Sequence, residues 1–93
     1  MASARRKHPV LSGEGDLAVG RWSCPVVYEV ASSDLLKTGK GWVSGGGDEM
    51  RRAFSAGEAE LTLADGQVLR LILVAHAAGG DTVYFEIRGQ PRR

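Results

Sequence analysis

The segment Ala59-Glu60-Leu61-Thr62-Leu63-Ala64-Asp65-Gly66-Gln67-Val68-Leu69-Arg70-Leu71 decides the fold. Asp-Gly between two apolar runs predicts a β-hairpin, and the loop length fixes which residues meet across it. A two-residue loop at Asp65-Gly66 sets Leu61 against Arg70, a charge opposite a leucine. A three-residue loop, Ala64-Asp65-Gly66, with Gly66 left-handed in a G1 bulge, pairs Leu61 with Leu69 and Ala59 with Leu71. It also sets Thr62 against Val68 and Glu60 against Arg70. One face becomes aliphatic and the other gains an opposite-charge pair, worth about 0.2–1 kcal/mol. The three-residue register is the expected one.

The strand leaving this loop, 67–76, is apolar on both faces. Leu69, Leu71, Leu73 and Ala75 fall on one side; Val68, Arg70, Ile72, Val74 and His76 fall on the other. Such a strand is central, or its outer face is covered by a helix or a partner. Further short runs rich in Val, Leu, Ile, Tyr and Trp, separated by Gly-containing turns, predict strands at 14–20, 22–31, 39–45, 58–64 and 82–88. In 22–31, Val26, Tyr28 and Val30 alternate with Val27, Glu29 and Ala31. In 82–88, Val83, Phe85 and Ile87 point inward and Tyr84, Glu86 and Arg88 outward.

One helix fits, Asp48 to Ala56. Asp48 follows three glycines and is placed to cap the first N–H groups, with Glu49 in the first turn. Met50, Ala53 and Phe54 make an apolar stripe, and Gly57 is the natural stop. Six short antiparallel strands leave edges that a small barrel removes. The expected fold is therefore all-β with minor α: a six-stranded antiparallel β-barrel, closed or half-open, with one short helix. A two-sheet sandwich is the alternative. Residues 1–12 and 90–93, polar and basic, read as flexible tails around a single domain at 13–89.

The chain has 93 residues, 43% hydrophobic and 25% charged, enough for one core and no more. Twelve Lys and Arg face eleven Asp and Glu, a net charge of +1, which argues against a nucleic-acid binder working through whole-domain charge. Lysine occurs only at Lys7, Lys37 and Lys40; this arginine bias, with abundant Gly and Ala, suggests a GC-rich bacterial genome. The single Cys24 cannot close an intramolecular disulfide, and His8 and His76 do not combine with it at zinc-binding spacing. No metal and no cofactor are expected. The basic start lacks the apolar run of a secretory signal, and no stretch is long enough for a spanning helix, so a cytoplasmic location is expected.

Catalytic constellations do not stand out. A phosphate loop ending in Gly39-Lys40 needs Gly at position 34 and Ser or Thr at 41, where Asp34 and Gly41 stand. Asp48 and Glu49 would repel an anion at the helix start. Cys24 beside Pro25 reads as a small buried hydrophobe and His76 as a loop-flanking residue. No nucleophile, base and orienting group share a recognisable spacing, so the protein is not expected to be an enzyme. Arg21-Trp22 and Lys40-Gly41-Trp42 offer a stacking platform for single-stranded nucleic acid, set against two tryptophans acting as core anchors.

The basic segment Arg5-Arg6-Lys7 ahead of a small barrel, with Trp42-Val43-Ser44-Gly45-Gly46-Gly47, faintly resembles PilZ domains. These bind cyclic di-GMP through an arginine motif and a later Asp/Asn-x-Ser-x-x-Gly motif. Ser44 and Gly47 match, Trp42 stands where the acid or amide belongs, and Val10 stands where the second arginine after Arg6 belongs. The resemblance implies a nucleotide-binding regulator as an alternative. The expected function is non-catalytic binding of a protein, with self-association included. Its expected surface is the second apolar stripe, Val68, Arg70, Ile72 and Val74, provided the helix docks elsewhere. Arg70 at its centre would lend specificity.

Overall fold

The computed structural model describes residues 10–33, 38–77 and 79–89. The chain runs β1 (Val10–Val19), β2 (Trp22–Ser33), β3 (Thr38–Ser44), α1 (Gly47–Ala56), β4 (Glu58–Thr62), β5 (Val68–His76) and β6 (Thr82–Gly89). The strands close into an antiparallel barrel in the order β1-β2-β3-β6-β5-β4. Two three-stranded meanders, β1–β3 and β4–β6, thus meet along β3–β6 and β1–β4. The closed barrel replaces both the half-open and the sandwich alternatives. Of the tails expected at 1–12 and 90–93, residues 10–12 are strand, the start of β1, and the remainder lies outside the described residues.

The β4–β5 hairpin takes the three-residue register, with Leu61 opposite Leu69, Ala59 opposite Leu71 and Glu60 opposite Arg70. Gly66 has φ 95°. Its N–H donates to the Leu63 carbonyl at 2.9 Å, and the Leu63 N–H donates to the Gln67 carbonyl at 2.8 Å. Leu61, Leu69, Leu71, Val30, Val83 and Phe85 fill the interior with at most 1% of their surface exposed. On β2, Val26, Tyr28 and Val30 face in, as their alternation requires. The Tyr28 phenol reaches the hairpin and accepts the Ala64 N–H at 3.0 Å.

Three local expectations need correction. β1 begins at Val10, four residues earlier than expected, because β2 offers it a partner strand as far as Ala31: Val10 pairs with Ala31 and Ser12 with Glu29. Helix α1 starts at Gly47 with Gly46 at its N-cap and no side-chain cap. Asp48 is therefore inside the first turn, where it pairs with Arg51 at 2.9 Å and still complements the helix dipole. Gly57, at φ 85°, ends the helix as expected.

The third correction concerns β5. Its register against β6 shifts twice, between Arg70 and Leu71 and between Leu73 and Ala75. Leu73 pairs with Phe85 but Ala75 with Tyr84, so Val74 is an extra residue. A bulge of this kind inverts the alternation beyond it. Ala75, expected inward, is exposed beside Tyr84. His76, expected outward, pairs with the fully buried Val83. Its Nε2 lies 3.0 Å from the Gly80 carbonyl and its ring 5.6 Å from that of Phe54.

Candidate functional site

Helix α1 spans the barrel end between the finish of β3 and the start of β4. Met50 and Ala53 are fully buried in the same cluster as the inward-facing strand residues. Phe54 packs on the edge of that cluster, and the Leu73 N–H donates to the Gly57 carbonyl at 2.9 Å. The helix spends its apolar stripe on the barrel end, and part of the outer face of β5 stays exposed.

The four residues marked by the sequence lie on that outer face. Val68 and Ile72 are half-buried, Arg70 is exposed, and Val74 is 47% exposed. Tyr84 on β6, 45% exposed, joins them opposite Ala75, and Trp42 on β3 stands opposite Tyr84 from the other side. An apolar surface thus crosses three strands: Ile72, Val74 and Ala75 on β5, Tyr84 on β6, and Trp42 on β3. Glu58 and Glu86 flank Ile72, Lys40 stands opposite Glu86, and Glu29 stands opposite Trp42.

The second register shift lies toward the hairpin end. Arg70 pairs with Gly89 while Leu71 pairs with Ile87, which leaves Arg88 as the extra residue on β6. Arg70 and Arg88, both exposed, line one depression of about 270 Å³ with Glu58, Glu60 and Gly20. Although Glu60 faces Arg70 in the ladder, no ion pair forms between them; the side-chain ion pair among the described residues is Arg51–Asp48. A second groove, about 440 Å³, runs past Glu14, Asp16, Pro25, Val27 and Ser44.

Other candidates resolve into structural roles. Lys40 and Gly41 lie within β3 instead of a phosphate-binding loop. Trp22 packs against the core beneath Arg52, whose guanidinium carbon is 5.2 Å from the ring centroid. Only Trp42 of the two tryptophans belongs to the outer face. Cys24 is buried, and its pKa is pushed up to about 11, first by burial and then by the charges of Glu49 and Asp16. It stays a thiol at neutral pH, unsuited to nucleophilic attack. Ser44 ends β3, where it accepts a 3.4 Å hydrogen bond from the Thr82 hydroxyl, and Gly47 opens α1. Arg5, Arg6 and Lys7 lie outside the described residues, so the two segments behind the PilZ resemblance are not seen together.

Among the described residues, no three His, Cys, Asp or Glu side chains gather as metal ligands, and no helix is long and apolar enough to cross a membrane. No family model matches the chain, and no curated protein or solved structure is significantly similar to it. The arrangement presents an apolar strip beside Arg70 and Arg88, whose guanidinium groups form no ion pair among the described residues. Sequence reasoning had Tyr84 and Arg88 pointing outward, yet left both out of the site together with Trp42. What joins them to β5 is the β3–β6–β5 strand order and the two bulges.

Proposed function

We propose that this barrel is a non-catalytic binding module of a reducing bacterial cytoplasm that recognises another protein through the outer face of β5 and β6. One observation carries the reading: Val74 and Tyr84 are nearly half exposed side by side, on a face that α1 does not cover. Contiguous apolar surface of this kind marks interaction sites in soluble domains. The test substitutes Val74→Glu and Tyr84→Ser in turn. Each variant keeps a cooperative thermal transition and loses crosslinked partners, or loses self-association in sedimentation velocity. If both variants retain every partner and the native mass of the parent, the reading is wrong.

A second reading, a single-stranded nucleic-acid face, is favoured by Trp42 standing opposite Tyr84. Glu29 and Glu86 beside that pair oppose a polyphosphate backbone. Salt-dependent retention on an oligonucleotide separates it from protein binding. The nucleotide-binding alternative is checked by thermal stabilisation with cyclic di-GMP, about 2.7 kcal/mol at 100 times Kd.

A further inference from the structure

The two bulges of the β5–β6 ribbon carry different chemistry. Near the helix-bearing end, the extra residue Val74 sets Val74 and Ala75 beside Tyr84 on the outer face. Near the hairpin end, the extra residue Arg88 joins Arg70 at the wall of the 270 Å³ depression. Bulges re-aim side chains and are over-represented beside functional sites. Four residues separate Arg70 from Val74 along β5, about 13 Å of extended strand. Ile72, half-buried, lies between them and keeps the strip apolar along its length.

The electrostatics narrow the occupant. Two exposed guanidinium groups line one depression, with no ion pair to either among the described residues, although Glu60 stands opposite Arg70 in the ladder. Like charges brought together favour a shared counter-ion, and paired guanidinium groups suit a carboxylate through parallel N–H donors. Glu58 and Glu60 line the same depression from the neighbouring strand β4, opposite Ile72 and Arg70 in the ladder, so the site as a whole is not strongly cationic and any anion must be drawn by the two guanidinium groups themselves. Glu58, Glu60 and Glu86 along the same face oppose a run of phosphates and leave an isolated carboxylate as the anion least repelled.

We propose that the partner of this face is an acidic–apolar segment of another protein. Its large apolar side chain sits on Val74, Ala75 and Tyr84, and its carboxylate, about 13 Å away, sits on Arg70 and Arg88. In an extended segment that separation is four residues. This assignment rests on the protein-binding reading and names what that reading leaves open.

The probe is a displayed library of random dodecapeptides, selected on the full chain, on the Arg70→Gln/Arg88→Gln double variant and on Val74→Glu. Thermal transitions confirm that each is folded; both arginines are exposed, so the double variant keeps the barrel. The parent should enrich peptides with Phe, Leu, Ile or Trp about four positions from Asp or Glu. The double variant should lose the acidic position and bind a selected peptide at least roughly tenfold more weakly, with reduced salt dependence. Val74→Glu should lose the apolar position. A parental consensus without an acidic residue overturns this inference and leaves protein binding standing. Identical peptides selected on Val74→Glu, or no enrichment on the parent, overturn this inference, while the partners and native mass of Val74→Glu and Tyr84→Ser decide the protein-binding reading separately. Retention of a single-stranded dodecanucleotide that the double variant abolishes overturns the peptide in favour of nucleic acid.

Discussion

Gly66→Ala tests the hairpin on which the outer face depends. At Gly66, φ is 95°. An added Cβ meets nothing within 4 Å, so the substitution creates no clash and its cost is conformational. Left-handed backbone costs an L-residue about 1–2 kcal/mol. The loop cannot relax cheaply to escape this strain. The Gly66 N–H is held by Leu63, and the Gln67 N–H and side-chain amide donate to the Asp65 carboxylate at 3.0 and 2.8 Å. Those two bonds also hold the Asp65 pKa below its ordinary value.

Gly66→Ala should therefore lower stability by more than ~1 kcal/mol, because an alanine forced to positive φ costs more than it gains in the unfolded chain. For a domain of this size that is a fall in Tm of about 4–8 °C per kcal/mol. Urea unfolding should show a lower midpoint with the slope unchanged, which assigns the change to stability. Gly66→Asn should recover part of the loss, since Asn tolerates the left-handed region better than Ala. An unchanged midpoint in Gly66→Ala, or an Asn variant as weak as the Ala one, refutes the reasoning. Proton contacts linking Leu61 to Arg70 in place of Leu69 refute the register itself.

Two further expectations follow from buried polar groups. Tyr28→Phe removes the acceptor of the Ala64 N–H, and should cost roughly 0.5–1.5 kcal/mol while speeding hydrogen exchange at Ala64; unchanged protection there contradicts the strut. Cys24, with its thiol raised from 9.0 to about 11, keeps in the folded state a proton that the unfolded chain loses first. Its contribution to stability is complete below pH 9 and declines as pH rises to 11, by at most about 1.4 kcal/mol per pH unit. Parallel stability–pH profiles for the parent and Cys24→Ala across that range would refute this.

The sequence carries the hairpin register because two independent requirements, an aliphatic inner face and a glycine at the left-handed position, select one loop length. It carries strand order less directly. Alternation along 82–88 sends Tyr84 outward, but nothing local states that β6 lies between β5 and β3. The bulges are less legible still. A run such as Leu71-Ile72-Leu73-Val74-Ala75 offers apolar side chains at every position, so strict alternation and alternation with one added residue read alike. Only closure of the barrel, which aligns Leu73 with Phe85 and His76 with Val83, decides between them. For the same reason Ala75 and His76 exchange their expected faces, and Arg88 joins Arg70 unannounced.

Exposed apolar residues on a sheet have a second physical use that must be separated from binding. Cross-strand aromatic and β-branched pairs stabilise sheets by about 0.2–1 kcal/mol each, and Trp42–Tyr84 and Ala75–Tyr84 are adjacent pairs. If pairing alone accounts for the strip, Val74 matters little in either respect, because it is the extra residue of a bulge with no residue of β6 directly opposite it. At 47% exposure, Val74→Glu should cost no more than about 0.5 kcal/mol, the usual range for a surface substitution. Loss of binding at that small cost assigns Val74 to recognition, since pairing alone predicts the small cost without the loss of binding. A loss of stability above about 2 kcal/mol would place Val74 in the packed structure and remove the physical ground for treating this face as a docking surface.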